Sequence, residues 1–177
     1  IRFYGKVEPS MLSFLPTYLF PSVTDLKPEF LRERGIDLLL LDFDNTLLPY
    51  TQDEPDEALL RWLEEMRRSG IRLCIVSNSR KSRVPDFCRR YGLACVTHAG
   101  KPGSRGIREA LRRFGATPQQ TALVGDQIFT DILGANCAKL TAIHVKSIHN
   151  HTVPLRLRHV FELPFLALAK KRRMKHY

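Results

Sequence analysis

The sequence predicts an α/β domain built on an open, doubly wound, Rossmann-like sheet of five parallel strands. Three observations predict it. Leu38-Leu39-Leu40-Leu41 is a continuous apolar run, and such a run needs cover on both faces, as a central parallel strand does. Strand-like and helix-like segments then alternate five times along the chain, the pattern of a parallel sheet with crossover helices. Polar residues able to do chemistry stand directly after several strand segments, where doubly wound sheets bind ligands.

Residues 1–28 are apolar, aromatic and broken by prolines, which predicts an arm without a long regular element. A short helix over Glu29 to Arg34 ends at Gly35, and the first strand follows. Pro55 to Ser69 reads as a helix with Leu59, Leu60, Leu63 and Met66 on one face, closed by Gly70. Ile71 to Val76 is the second strand, Val84 to Tyr91 a helix stopped by Gly92, and Leu93 to Val96 the third strand. Ser104 is placed to cap a helix that runs to Phe114 and ends at Gly115. Thr121 to Val124 is the fourth strand, Phe129 to Ala138 a helix, and Thr141 to Val145 the fifth strand. Beyond Lys146 a polar loop with His149 and His151 leads to an apolar stretch, Leu155 to Ala169, interrupted by Pro164. Lys170-Lys171-Arg172-Arg173 follows as a basic tail. The expected organisation is an arm and short helix over 1–34, a catalytic domain over 35–146 and a basic segment over 147–177.

Composition narrows the function classes. Hydrophobic residues make up 44% and charged residues 26%, so a globular core is expected. The net charge of +10 points to an anionic partner: a phosphorylated substrate, an anionic lipid surface or nucleic acid. The four cysteines form no CxxC pair and have no zinc spacing, so they read as reduced, mostly buried small hydrophobes. His144, His149 and His151 have no cysteine or carboxylate beside them, and a metal site there is not expected. Trp62 reads as packing. The run from Met11 to Leu15 is cut by Pro16 and Pro21, so it lacks the form of a signal peptide, and nothing has the length of a spanning helix. The expected location is the cytoplasm, with peripheral membrane contact open to it.

The strand ends carry the chemistry. Asp42 and Asp44 directly follow the four leucines. Two carboxylates so near a core call for a cation or a proton, although a capping loop is the plainer reading of either one alone. Ser77 and Asn78 end the second strand and can meet phosphate oxygens, or can simply turn the chain. Lys101 precedes a helix and can meet an anion. Gly125-Asp126 leaves the fourth strand, with Asp131 five positions on. Asp42 and Asp126 offer the oxygen ligands that magnesium prefers. Asp42 can then attack phosphorus, Asp44 can move the proton, and Lys101 and Ser77 can stabilise the transferring phosphoryl group. Backbone N–H groups from Phe43 to Thr46 can hold its remaining oxygens.

In order and spacing these sites resemble the haloacid dehalogenase (HAD) superfamily of phosphatases. The stretches DFDNTLLPY, IVSNS and VGDQIFTDILGANCAKLTAIHV resemble its YqeG-type subfamily, as does the arm FLPTYLFPSVTDLKPEFLRERGI. The resemblance covers roughly Met11 to Val145, and it departs at Ser79-Arg80, where asparagine-rich residues are expected. It implies Asp42 as nucleophile, Asp44 as general acid and base, and phosphate contacts from Thr46, Ser77, Asn78 and Lys101. It implies magnesium held by the Asp42 carboxylate, the Asp44 carbonyl and Asp126, with Asp131 acting at one remove or through a water. Eukaryotic relatives are mitochondrial phosphatidylglycerophosphate phosphatases, which makes a lipid head group the expected substrate and the matrix side the expected place in a eukaryote.

Such enzymes usually carry cap domains. Leu47 to Glu54 and Ser79 to Gly100 leave no room for one. An uncapped site suits a phosphate on a large or surface-bound molecule better than a small free metabolite. Arg156, Arg158, Lys170 to Arg173 and Lys175 would favour peripheral contact with an anionic membrane, although a basic terminal helix can simply be solvated. The alternatives are a phosphatase of a soluble phosphate ester and an RNA- or ribosome-associated module on the same fold. The latter lacks a recognised RNA-binding motif.

Overall fold

The computed structural model describes residues 14–148 and 163–169. Six parallel strands form one sheet: β1 (Tyr18–Phe20), β2 (Leu38–Leu41), β3 (Arg72–Val76), β4 (Ala94–Val96), β5 (Thr121–Gly125) and β6 (Thr141–Val145). Their order is β1-β6-β5-β2-β3-β4. The five expected strands are all present, and the expected count is one short. The sixth is β1, three residues of the arm hydrogen-bonded in register with Ile143, His144 and Val145. Its brevity and the prolines on either side hide it from any pattern of alternation.

The leucine run of β2 is buried on all four residues. Successive side chains of a strand point to opposite faces, and the core divides accordingly. Leu39 and Leu41 pack with α1 (Pro28–Arg32), α2 (Glu57–Arg68) and α3 (Arg83–Tyr91). Leu38 and Leu40 pack with α4 (Arg105–Phe114) and α5 (Leu133–Cys137). A helical segment over 163–169 lies on this second side, where Phe165 and Leu166 pack against the core. Pro164 stands in its first turn, where its missing N–H is not required.

Local signals explain most boundaries. Asp56 caps α2 by accepting from the Leu59 N–H, and α3 and α4 end on Gly92 and Gly115 in left-handed conformation. Two expectations are corrected. Ser104 precedes α4 but makes no side-chain cap bond. The helix expected over Phe129 to Ala138 begins as a wide π turn, Ile128–Ile132, before α5. Trp62 is buried, and its indole N–H donates to the Leu26 carbonyl at 2.8 Å. All four cysteines are free; burial raises the pKa of Cys74 to about 12. Among the described residues no helix is long and apolar enough to cross a membrane.

The strand order reverses between β2 and β5: the chain runs outward to β3 and β4 on one side and to β6 on the other. This switch point, at the C-terminal strand ends, is where such sheets open a crevice.

Candidate active site

Asp42 follows β2 and Asp126 follows β5, the two strands that meet at the switch point. Both are buried, as is Asp131. Carboxylate oxygens of all three lie within 4.8 Å of one another. Like charges so close need a counterion, and Lys101 provides one. Its Nζ is 2.6 Å from Asp42 Oδ1 and 2.7 Å from Asp131 Oδ1, and its side chain is 1% exposed. The lysine is therefore no solvated surface charge.

Asp131 reaches this position because Gly125 has no side chain. A Cβ there would sit 2.3 Å from Asp131 Oδ2, well inside contact distance. Asp131 Oδ2 also accepts from the Gln127 N–H at 3.1 Å, which closes the π turn. Thr46, expected at the phosphate, is buried, and its hydroxyl lies 3.3 Å from both Asp42 Oδ2 and Asp126 Oδ1. Its contacts are with the carboxylates. Asn45 takes a left-handed φ of 62° between them, a conformation asparagine tolerates. Its N–H donates to the Leu48 carbonyl at 2.7 Å, so the expected row of free amides from Phe43 to Thr46 is interrupted there.

A cavity of about 660 Å³ opens above Asp42. Ser77 lines it, and the Ser77 hydroxyl accepts from the Ser79 N–H at 3.0 Å. Asn78 lines it too, and both ends of its amide bind the main chain of Lys101: Oδ1 accepts at 2.8 Å and Nδ2 donates at 2.9 Å. Asn78 thus holds the lysine in register with β3. Asp44 lines the cavity with its carboxylate turned toward Arg83, 2.6 Å away, and it is not in the carboxylate cluster. Ser79, Arg80 and Lys81 line it as well, as do Tyr50, Arg83, Gln127, Phe129 and Thr130, to which the sequence assigns no role. Tyr50, Gln127, Phe129 and Thr130 fall within the stretches that carry the resemblance, but only the folded backbone turns them toward the cavity.

The electrostatics follow from burial. Burial pushes the Asp42 carboxyl from 3.8 up to about 6; Lys101 opposes the shift and Asp131 adds to it. Asp44 is also raised, first by burial and then by Asp42, against the pull of Arg83. Burial disfavours the charge on Lys101, but Asp131 and Asp42 prevail and its pKa is raised, so it stays an ammonium. Three carboxylates against one ammonium leave excess negative charge in a buried, all-oxygen donor set, which fits a hard divalent cation. His144 lies outside that set: it is buried and its Nε2 is 3.1 Å from the Asp126 carbonyl oxygen. His149, His151 and the basic residues from Arg156 to Arg158 and Lys170 to Lys175 lie outside the described residues.

The segments between β2 and α2 and between β3 and β4 hold no cap domain. An aspartate beside further carboxylates, an ammonium and a hydroxyl has the groups that phosphoryl transfer uses.

Comparison with known proteins agrees. A family model described as haloacid dehalogenase-like hydrolase matches residues 29–139. The protein named Probable phosphatase YqeG from Bacillus subtilis (strain 168) is 33% identical over 123 residues, 70% of this chain and 72% of that one. Phosphatidylglycerophosphate phosphatase 1, chloroplastic, from Chlamydomonas reinhardtii is 30% identical over 146 residues, 76% of this chain and 53% of that one. The crystal structure of an uncharacterized protein from Listeria monocytogenes serotype 4b superposes with a TM-score of 0.52 at 19% identity, covering 62% of this chain and 78% of that one.

Proposed function

The chain belongs to the haloacid dehalogenase-like hydrolase family and is a phosphatase of that family; from that premise we propose that it hydrolyses phosphatidylglycerophosphate through a phospho-aspartate on Asp42, with magnesium. The observation that carries the mechanism is the placing of Asp42, on the cavity floor at a strand end, 2.6 Å from a buried ammonium and clustered with Asp126 and Asp131.

Asp42, Asp126 and Asp131, with the Asp44 carbonyl, would hold the cation. When bound, it screens the repulsion between carboxylate and phosphate. An Asp42 carboxylate oxygen attacks phosphorus, and the bond to the ester oxygen breaks. Asp44 gives its proton to the departing alkoxide, then takes one from the water that hydrolyses the phospho-aspartate. Lys101 and the Ser77 hydroxyl face the phosphoryl oxygens. Asn78 keeps Lys101 in place, and Thr46 orients Asp42 against Asp126.

Three observations support the lipid substrate. Among the described residues no cap domain is present, the chain carries a charge of +10, and a relative 30% identical to it bears the name of that activity.

The test is phosphate release from phosphatidylglycerophosphate in mixed micelles with magnesium, beside a panel of soluble phosphate esters. Preferred turnover of the lipid, abolished by EDTA and by Asp42→Asn, is the expected result. Turnover of soluble esters alone would refute the lipid assignment and keep the mechanism. Silence of the folded protein on both sets, with RNA binding that survives Asp42→Asn, would replace catalysis with a binding role.

A further inference from the structure

The loop after β3 carries two cations that the mechanism does not use. Arg80 and Lys81 line the cavity mouth and are exposed. Among the described residues neither side chain is in an ion pair, whereas the arginines just beyond them are: Arg83 with Asp44 and Asp53, Arg89 with Asp86, Arg90 with Glu54. Adjacent unpaired cations repel one another, and an anion lying between them relieves that cost.

The loop is held in shape. Ser77 Oγ accepts from the Ser79 N–H, Ser79 Oγ accepts from the Lys81 N–H at 3.3 Å, and the Ser79 carbonyl accepts from the His98 N–H at 3.4 Å. The cations are thereby tied to Ser77, the residue placed to face the phosphoryl group. Three residues span at most ~10 Å of backbone. Because β2 lies between β3 and β5, the residues after β5 stand on the far side of Asp42. There the mouth is aromatic: Phe129 lines it and packs against Phe14 and Phe165, with centroids 5.7 and 6.0 Å away. The mouth is thus basic on one bank and carries Phe129, with the uncharged Gln127 and Thr130, on the other.

We propose that Arg80 and Lys81 form a second anion subsite, which selects phosphomonoesters bearing a further phosphodiester or carboxylate. The proposal rests on the phosphatase reading above and adds the feature that sorts substrates within it.

The experiment compares three substrates: glycerol 3-phosphate, with one anionic group; glycerophosphoglycerol phosphate, with a second; and the lipid bearing that same head group in neutral-detergent micelles. The readout is the ratio of kcat/KM between the second substrate and the first, which does not depend on how much of a variant is folded. The parent is expected to favour the two-anion ester by about tenfold or more. Arg80→Ala/Lys81→Ala should bring that ratio down about tenfold, and Arg80→Glu/Lys81→Glu further. An unchanged ratio in both variants overturns the proposal, as does a parent that turns over both esters equally; either result leaves the phosphatase reading standing. A fall seen only with micelles overturns it as well, because the cations would then be reading surface charge. A parent that hydrolyses none of the three refutes the phosphatidylglycerophosphate assignment, and the proposal with it.

Discussion

Arg83 donates through Nη1 to the carboxylate of Asp44 at 2.6 Å, across 39 residues of sequence. The same guanidinium donates through Nε to Asp53 at 2.7 Å and to the carbonyls of Pro49, at 2.5 Å, and Gln52. It also lies 4.9 Å from the centre of the Phe43 ring. One side chain at the start of α3 therefore fixes the proposed acid and the whole loop that follows it.

Arg83 lowers the pKa of Asp44, against burial and Asp42. Removing the cation should let that pKa rise, so that Asp44 keeps its proton to higher pH. In Arg83→Ala the alkaline limb of the kcat/KM profile is expected to move to higher pH, while kcat at neutral pH falls by about 10²-fold as the loop loses its anchor. A limb that stays in place would exclude Asp44 as the acid.

Lys101→Met takes the ammonium from between Asp42 and Asp131, leaving buried carboxylates uncompensated. Breaking a buried pair in this way costs about 3–5 kcal/mol. A urea titration of the metal-free variant should show that loss, and added magnesium should recover part of it. Turnover should fall by about 10²–10³-fold.

The raised pKa of Asp42 sets a sign for stability against pH. The folded carboxyl holds its proton to about 6, against 3.8 when unperturbed. Between those values the folded state binds more protons than the unfolded one, so this group's contribution to stability declines as pH rises through the window. The difference in melting temperature between metal-free parent and Asp42→Asn should shift in favour of the variant from pH 4 to pH 6. Magnesium at pH 7 should raise the melting temperature of the parent more than that of the variant.

Gly125→Ala places a methyl carbon 2.3 Å from Asp131 Oδ2. Asp131 must move off Lys101 and the Gln127 amide, at about 1–3 kcal/mol. A lower urea midpoint, together with weaker magnesium binding by thermal shift, is the expected pair of results. Unchanged magnesium binding would detach Asp131 from the cation site.

The sequence made much of this site legible because Asp42, Ser77 and Asp126 each stand within a residue of an apolar strand end, where parallel sheets open. Arg83 was not legible: it is one of many arginines, and its partner lies 39 residues away. Thr46 sits in the expected motif, yet only the pairing of β2 with β5 brings its hydroxyl between two carboxylates. The burial of Lys101 depends on the Asn78 clasp, a contact across 23 residues. What stayed hidden was tertiary: contacts across the fold have no spacing to read. For the same reason β1, whose partner β6 lies more than 120 residues on, left no mark beyond a few aromatic residues.

That edge strand has a consequence for how the chain can be cut. Residues 29–139, the stretch that matches the family, include neither β1 nor β6. A fragment with those limits would leave the outer rim of β5 as a row of unpaired amides and carbonyls. Ala122, Leu123 and Val124, now fully covered, would border it. An open apolar rim of that kind recruits other chains. A protein cut to residues 29–139 should therefore collect in inclusion bodies even with every catalytic residue in place.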